Sequence, residues 1–552
     1  MFSNPSPRRT FNTPLKRFCP VTDSPPAMHC LKRCPMIKAN LITRCLPACL
    51  SAWLSVALLV TEYAHAAEKT VSSTPLASLL ELKEPALTLH APLIQDWKLR
   101  QGTRVLFVEK HDLPMVDLHI SFAAGSHYEG NTPGLAAMTL SMLNEGSTLK
   151  DAQALARAFD QLGVNVENGI STEQSHFTLR TLSSPEIRLP AMALLAEMLS
   201  QPSFTESGLR HARHELETRL KLDQIDPQSR AHALVHKALY VDDPLLNPMY
   251  GTLDGLKRID TTQVRAFYRR AYTATNAQIV IVGDLSREQA QVLSQTLADA
   301  LPSGPALPVS GALVASTNTG TTLHLQESTT QTLLMMGHNS LPDHHPDALA
   351  VRISNVIFNQ ILNKQLRELH SVTYGVLSDI NHAKGQTPWV IHLSLPPHYS
   401  QATIAQIKAL FAQYIKEGPS KEQLDDIKKY IRKALPQLTA TNASLRNELV
   451  IINRFDQSLN FTHKTQAIQN MTPAHIRGAM SRHFKTEGWV SVTVGPQAEQ
   501  LPLPERTRPQ DSTQSICTST NWASFGAQTT LGRGPMLWQL KHTPLPRYPM
   551  RT

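Results

Sequence analysis

The chain has 552 residues, 41% of them hydrophobic and 18% charged, which makes it too long for one compact core and too apolar for a disordered protein. Its net charge of +9 sits at the ends: residues 1–66 hold eight Lys/Arg against two Asp/Glu, residues 497–552 hold six against three, and the body between carries 39 of each. A neutral body lacks the clustered, uncompensated Lys/Arg that follow a phosphate backbone, so nucleic-acid binding loses its main support. Cysteine is equally uneven, with Cys19, Cys30, Cys34, Cys45 and Cys49 near the start and only Cys517 beyond. That excludes a disulfide framework and a thiolate zinc site in the body.

The amino terminus reads as an address. From Met36, Lys38 and Arg44 lead into an apolar run over 46–60, followed by Ala64-His65-Ala66 and Ala67. A basic segment, a short hydrophobic run and an A-x-A site are the three parts of a secretory signal peptide. The expectation is a leader over 1–66 with the signal at 36–66, translation starting at Met36, and a periplasmic or secreted product. An organelle transit peptide is the rival reading, since 1–35 hold six Lys/Arg and only Asp23 as an acid, but it leaves the apolar run and cleavage site without a role. No later segment offers 18 consecutive apolar residues, so no membrane association is expected after signal removal.

The body reads as a duplicated unit. A strand over 118–123 precedes a helix opened by Pro133, and a strand over 333–336 precedes one opened by Pro346. Helices starting at Thr261 and Thr472 lead into strands over 277–282 and 489–494, ending at Gly283 and Gly495, 212 residues apart. Gly125 and Gly337 repeat that spacing. Such a period means a duplicated domain. The irregular alternation of strands and amphipathic helices, such as 420–435 with its Ser420/Gln423 capping box, predicts the α+β class: two homologous halves, each a mainly antiparallel sheet with helices on one face. The halves are expected at 67–302 and 323–497, joined by a Pro-, Ser-, Gly- and Thr-rich linker at 303–322, and 498–552 reads as a disordered tail.

The segment Leu118-His119-Ile120-Ser121-Phe122-Ala123-Ala124-Gly125-Ser126 and the helix Gly134-Leu135-Ala136-Ala137-Met138-Thr139-Leu140-Ser141 resemble the start of an insulinase/pitrilysin-type zinc peptidase, over roughly residues 75 to 497. In active members this helix carries H-x-x-E-H, two zinc-binding His one turn apart with the water-activating Glu between them. Those positions here are Ala137, Leu140 and Ser141. Ala and Leu offer no lone pair, and Ser is a poor zinc ligand beside imidazole or carboxylate. The family's third ligand is a Glu on a later helix, corresponding to 209–222; its place falls near Thr218, with Glu215 and Glu217 close by. No metal site or cofactor is therefore expected in this chain. Among other histidines, His211-x-x-His214-Glu215 has the wrong order, and His232/His236 and His344-His345 read as solvated pairs. Gly-rich phosphate loops and a G-x-S-x-G elbow are missing.

The second half keeps Leu366-Arg367-Glu368-Leu369-His370-Ser371-Val372-Thr373-Tyr374-Gly375-Val376. It resembles the family segment whose Arg and Tyr, seven positions apart, face the zinc and hold the substrate backbone and developing oxyanion. Guanidinium and phenol are donors suited to that task. At 370–372 many members instead have a basic residue, Gly and Leu. Some family members are heterodimers in which one subunit supplies H-x-x-E-H and the other the Arg/Tyr pair. The resemblance implies the second kind: an exported non-catalytic subunit, inactive alone, lending Arg367 and Tyr374 to a zinc-bearing partner that cleaves unfolded peptides. The alternatives are an inert scaffold or peptide-binding protein of the same fold, and a hydrolase with an unrecognised metal site. If the pair is structural, Arg367 is a surface ion-pair partner and Tyr374 a strand residue.

Overall fold

The computed structural model describes residues 91–240, 247–308, 315–316 and 320–505. The expected leader at 1–66, part of the linker and the chain after 505 lie outside the described residues. The first half runs β1 (Gln95–Lys98), β2 (Arg104–Glu109), β3 (Met115–Phe122), α1 (Leu135–Leu143), α2 (Ala152–Gln161), β4 (Asn165–Ile170), β5 (Ser175–Leu182), α3 (Pro185–Ser200), α4 (Glu206–Ile225), α5 (Pro227–Leu239), α6 (Leu253–Arg258), α7 (Thr261–Ala271), β6 (Ala277–Gly283) and α8 (Arg287–Ala300). The second runs β7 (Thr322–Gln326), β8 (Thr332–Asn339), α9 (Ala348–Leu362), a π-helical turn (Asn363–Leu369), β9 (Leu377–Ile380), β10 (Pro388–Leu395), α10 (Ser400–Glu417), α11 (Lys421–Ala440), α12 (Asn442–Arg454), α13 (His463–Gln469), α14 (Pro473–His483) and β11 (Val490–Gly495).

The first sheet has the order β1-β2-β6-β3-β5-β4 and the second β7-β11-β8-β10-β9. One parallel pair, β2–β6 or β7–β11, sits in each; the other ladders are antiparallel. Apart from β1 the two sheets have the same strand order, so the chain is an α+β duplication. Register corrects one detail of that duplication. Ser121 faces Gln278 in the first sheet, and Gly337 faces Val490 in the second. With β6 and β11 aligned by their terminal glycines, Gly337 therefore matches Ser121 and not Gly125. Gly337 lies inside β8, where a Cβ would come within 2.3 Å of Val235 Cγ1 on α5; close helix approach, not a turn, requires it.

That contact belongs to an exchange of helices between the halves. Ala231, Val235, Leu239 and Tyr240 pack on Met335, Val490, Val492 and Val494 of the second sheet. Reciprocally, Leu445, Leu449 and Ile452 of α12 pack on Ile94, Leu106, Val108, Val280 and Val282 of the first. Each sheet thus has its own helices on one face, as expected, and a helix of the other half on the opposite face. The exchange explains why β6 reads Ile279-Val280-Ile281-Val282 without polar alternation: Ile279 and Ile281 enter the first core while Val280 and Val282 meet α12. The second core is built on Phe358, Trp389, Phe411, Phe484 and Trp489. Its α11 opens on the Ser420/Gln423 capping box read from the sequence.

Ion pairs join the halves where the exchanged helices end. Glu173, in the β4–β5 turn, accepts from Arg454 at 2.6 Å and from the Lys384 amide at 3.0 Å. Burial works against charge on Glu173, but the charge and hydrogen bond of Arg454 and the amide hold its carboxyl below the usual range. Residues 497–505 are not a free tail: Leu501 N–H bonds the His398 carbonyl at 2.8 Å and Leu503 packs on the second core. Residues 498–505 of the expected tail are therefore packed on the second half, and its remainder lies outside the described residues. Among the described residues no helix is long and apolar enough to cross a membrane.

Candidate functional site

The helix α1 is Ala-, Leu- and Met-rich, a composition of strong helix formers. Gly134 takes φ +97° at its N-cap, and the Glu129 carboxylate accepts from the Ala136 amide at 3.0 Å, occupying an otherwise open donor of the first turn. Burial pushes Glu129 up to about 7, against those backbone bonds. Ala137 and Leu140 are buried, and half-buried Ser141 donates to Glu215 Oε2 on α4 at 3.0 Å. Residues 137 and 141, one turn apart, share the face that carries this contact.

Glu215 is the acid on α4 that α1 touches, through Ser141, and the Thr218 hydroxyl is spent on the carbonyl of His214 at 2.8 Å. Positions 137, 140 and 141 offer one hydroxyl and two hydrocarbon side chains, which does not fit zinc. The remaining histidines do not rebuild the site. His211 Nδ1 bonds Glu145 at 2.6 Å, and that bond raises its pKa. His214 is exposed. His232 and His236 stack at 6.0 Å on α5, the helix that covers the second sheet; burial first and neighbouring histidines second lower His236 to about 4.

Among the described residues one group of three possible ligands does come together, His345, Asp347 and His483. Residue spacing could not reveal it, because His483 comes from the far end of the second half. Asp347, at the start of α9, accepts from His483 Nε2 at 2.8 Å and from Arg482 on both oxygens at 3.0 Å; the His345 Nδ1 lone pair takes the Asp347 amide at 3.1 Å. A guanidinium already neutralises the carboxylate, and acid at a helix start facing bases at a helix end is the arrangement the two dipoles favour. The cluster is an ion-pair network.

Arg367 and Tyr374 lie on the π-helical turn and the loop after it. Both are exposed, Tyr374 at 93%, and among the described residues neither side chain has a hydrogen-bond or ion-pair partner. Tyr374 is not in a strand, since β9 starts at Leu377. The loop beneath is held firmly. Asn363 accepts from the Val376 amide and donates to its carbonyl, both at 3.0 Å; Val372 and Val376 are buried. Ser371 has φ +53°, the left-handed conformation natural to Gly. Ser371 thus holds a turn for which Gly is the natural residue, and Val372 beside it is buried. Widened helical turns of this kind occur often at functional sites.

Comparison with known proteins agrees with this geometry. The sequence matches the insulinase (peptidase family M16) profile over residues 104–253 and the peptidase M16 inactive-domain profile over 258–431. A peptidase M16 inactive domain from Pseudomonas fluorescens is 32% identical, covering 74% of this chain and 99% of that one, with a TM-score of 0.71. The non-peptidase homolog YmxG of Helicobacter pylori is 23% identical over 69% of this chain and 88% of its own length. The periplasmic protease PqqL of Escherichia coli, 14% identical, shares the fold with a TM-score of 0.63, over 74% of this chain and only 46% of PqqL. The chain belongs to the insulinase family of peptidases, M16, and lacks the His-x-x-Glu-His groups by which its active members bind and use zinc.

Proposed function

We propose that this chain is the non-catalytic subunit of an exported two-chain zinc endopeptidase, with Arg367 and Tyr374 completing the active site of an H-x-x-E-H-bearing partner. The observation that carries the reading is the pairing of two exposed, unpartnered donors with a firmly anchored loop. Surface Arg and Tyr side chains without a role need no such support. In this reading zinc and the general base belong to the partner. The residues of this chain hold the substrate's backbone and stabilise negative charge on its carbonyl oxygen, Arg367 through a fixed cation and Tyr374 through one hydroxyl donor. The match to just under half of PqqL supports a second chain of similar size as the missing half of a closed chamber. PqqL is periplasmic by its description, and the 36–66 leader supports the same compartment here.

Purification of the native protein tests the assembly. The chain alone should hold no stoichiometric zinc and cleave no unstructured peptide, and a companion chain with H-x-x-E-H should co-purify. One equivalent of zinc with chelator-sensitive cleavage by the isolated chain would refute the reading. Export has its own check: the mature amino terminus should lie near Ala67 in an extracytoplasmic fraction, and an intact Met1 or Met36 on a cytoplasmic protein would contradict it.

A further inference from the structure

The stretch 497–505 leaves β11 and crosses the second half as a strap with three anchors. Near its start the Gln497 amide bonds Gln326 Oε1 at 3.1 Å, at the end of β7. In the middle, Gln500 donates to the Pro397 carbonyl at 3.2 Å and accepts from the Gln401 amide at 3.0 Å, while Leu501 bonds His398 and Leu503 packs on the core. At the far end the Pro504 carbonyl accepts from His370 Nδ1 at 2.8 Å. His370 is 9% exposed and lies between Arg367 and Tyr374 in sequence.

From this geometry we infer that His370 is a positioning residue, through which the strap fixes the loop that presents Arg367 and Tyr374. The inference rests on the proposed role of that pair. The physical need is local. The backbone turns from the π-helical segment into the loop at His370 and at left-handed Ser371, a conformation that is costly for a non-glycine residue. Such a turn persists only when its surroundings over-determine it. Val372, Val376 and Asn363 hold the loop from inside the core, and the strap holds it at the turn itself. Without Pro504 a buried Nδ1–H would have no acceptor in the described structure, which favours a rotated ring and an opened turn.

Amide hydrogen exchange in the full-length chain tests the inference. His370→Ala should speed exchange at Val372 and Val376 roughly fivefold to tenfold, the factor expected for one net hydrogen bond, without a matching rise across α9 and β10. His370→Asn, whose side-chain N–H can reach the same carbonyl, should restore protection. Gln500→Ala combined with Leu503→Ala, which leaves the loop itself untouched, should loosen the same two amides by detaching the strap. Unchanged exchange at Val372 and Val376 in these variants, or a uniform rise through the second half, would overturn the inference. In the assembled two-chain enzyme His370→Ala should lower kcat with little change in KM, because donors that act on the transition state are being misplaced. Local loosening with unaltered kcat would overturn the positioning role, and a Tyr374→Phe control then tells whether the pair itself matters.

Discussion

Three side chains decide what α1 can do. The helix starts at Gly134 and touches Glu215 on α4 through Ser141, while the residues at 137, 140 and 141 are not the family's zinc ligands and base. Restoring imidazoles at two of them should therefore restore a metal site. Ala137→His combined with Ser141→His should give a chain that binds one equivalent of zinc, with Glu215→Gln abolishing or strongly weakening it; calorimetric titration or elemental analysis reads the outcome. No binding in a folded double variant would mean that Glu215 is not placed as the third ligand. At this scale the sequence was informative about absence. The degenerate motif follows from residue types alone, but which residue of α4 meets α1 does not: the third-ligand place is expected near Thr218, with Glu215 and Glu217 close by. Residues 215 and 218 lie on the same helical face, so periodicity does not tell which of them α1 touches; the Ser141–Glu215 hydrogen bond does.

Among the elements, the strands read over 118–123, 277–282, 333–336 and 489–494 were legible as mainly apolar runs ending at or near a glycine, and the nearby helix openings because Pro133, Pro346 and Ser420 mark them. The exchange of α5 and α12 was not. An amphipathic helix reveals that it covers something, not which sheet it covers, and the answer lies in contacts between segments of opposite halves. The Glu173–Arg454 pair at the end of α12 makes the exchange testable by pH. The folded-state pKa of Glu173 is depressed, so its contribution is present above the unfolded value of about 4.3 and is lost as pH falls through the lower folded value. Glu173→Gln should cost roughly 2 kcal/mol near neutrality, less than the ~3–5 of a fully buried broken pair because Arg454 keeps some solvent. The deficit should shrink in denaturant melts taken below about pH 4. A constant deficit from pH 7 to pH 3 would remove this pair as a pH-dependent tie between the halves.

For the whole molecule, duplication, family and fold class were legible at long range, from the repeated layout and from two short segments. The exposure of Arg367 and Tyr374 was not, because a motif names residue types and says nothing of whether they face solvent unpaired or are consumed by neighbours. The structure adds exposure, an anchored loop and a left-handed turn at Ser371. The measurement that bears most directly on the account is steady-state cleavage of an unstructured peptide by the two-chain complex carrying Tyr374→Phe, on material shown to be folded and assembled. Loss of one oxyanion donor should lower kcat/KM roughly tenfold to a thousandfold, and Arg367→Ala should be at least as harmful because it removes a fixed charge as well. An unchanged rate in both variants would contradict the shared-site account and leave an inert scaffold or peptide-binding protein as the better one.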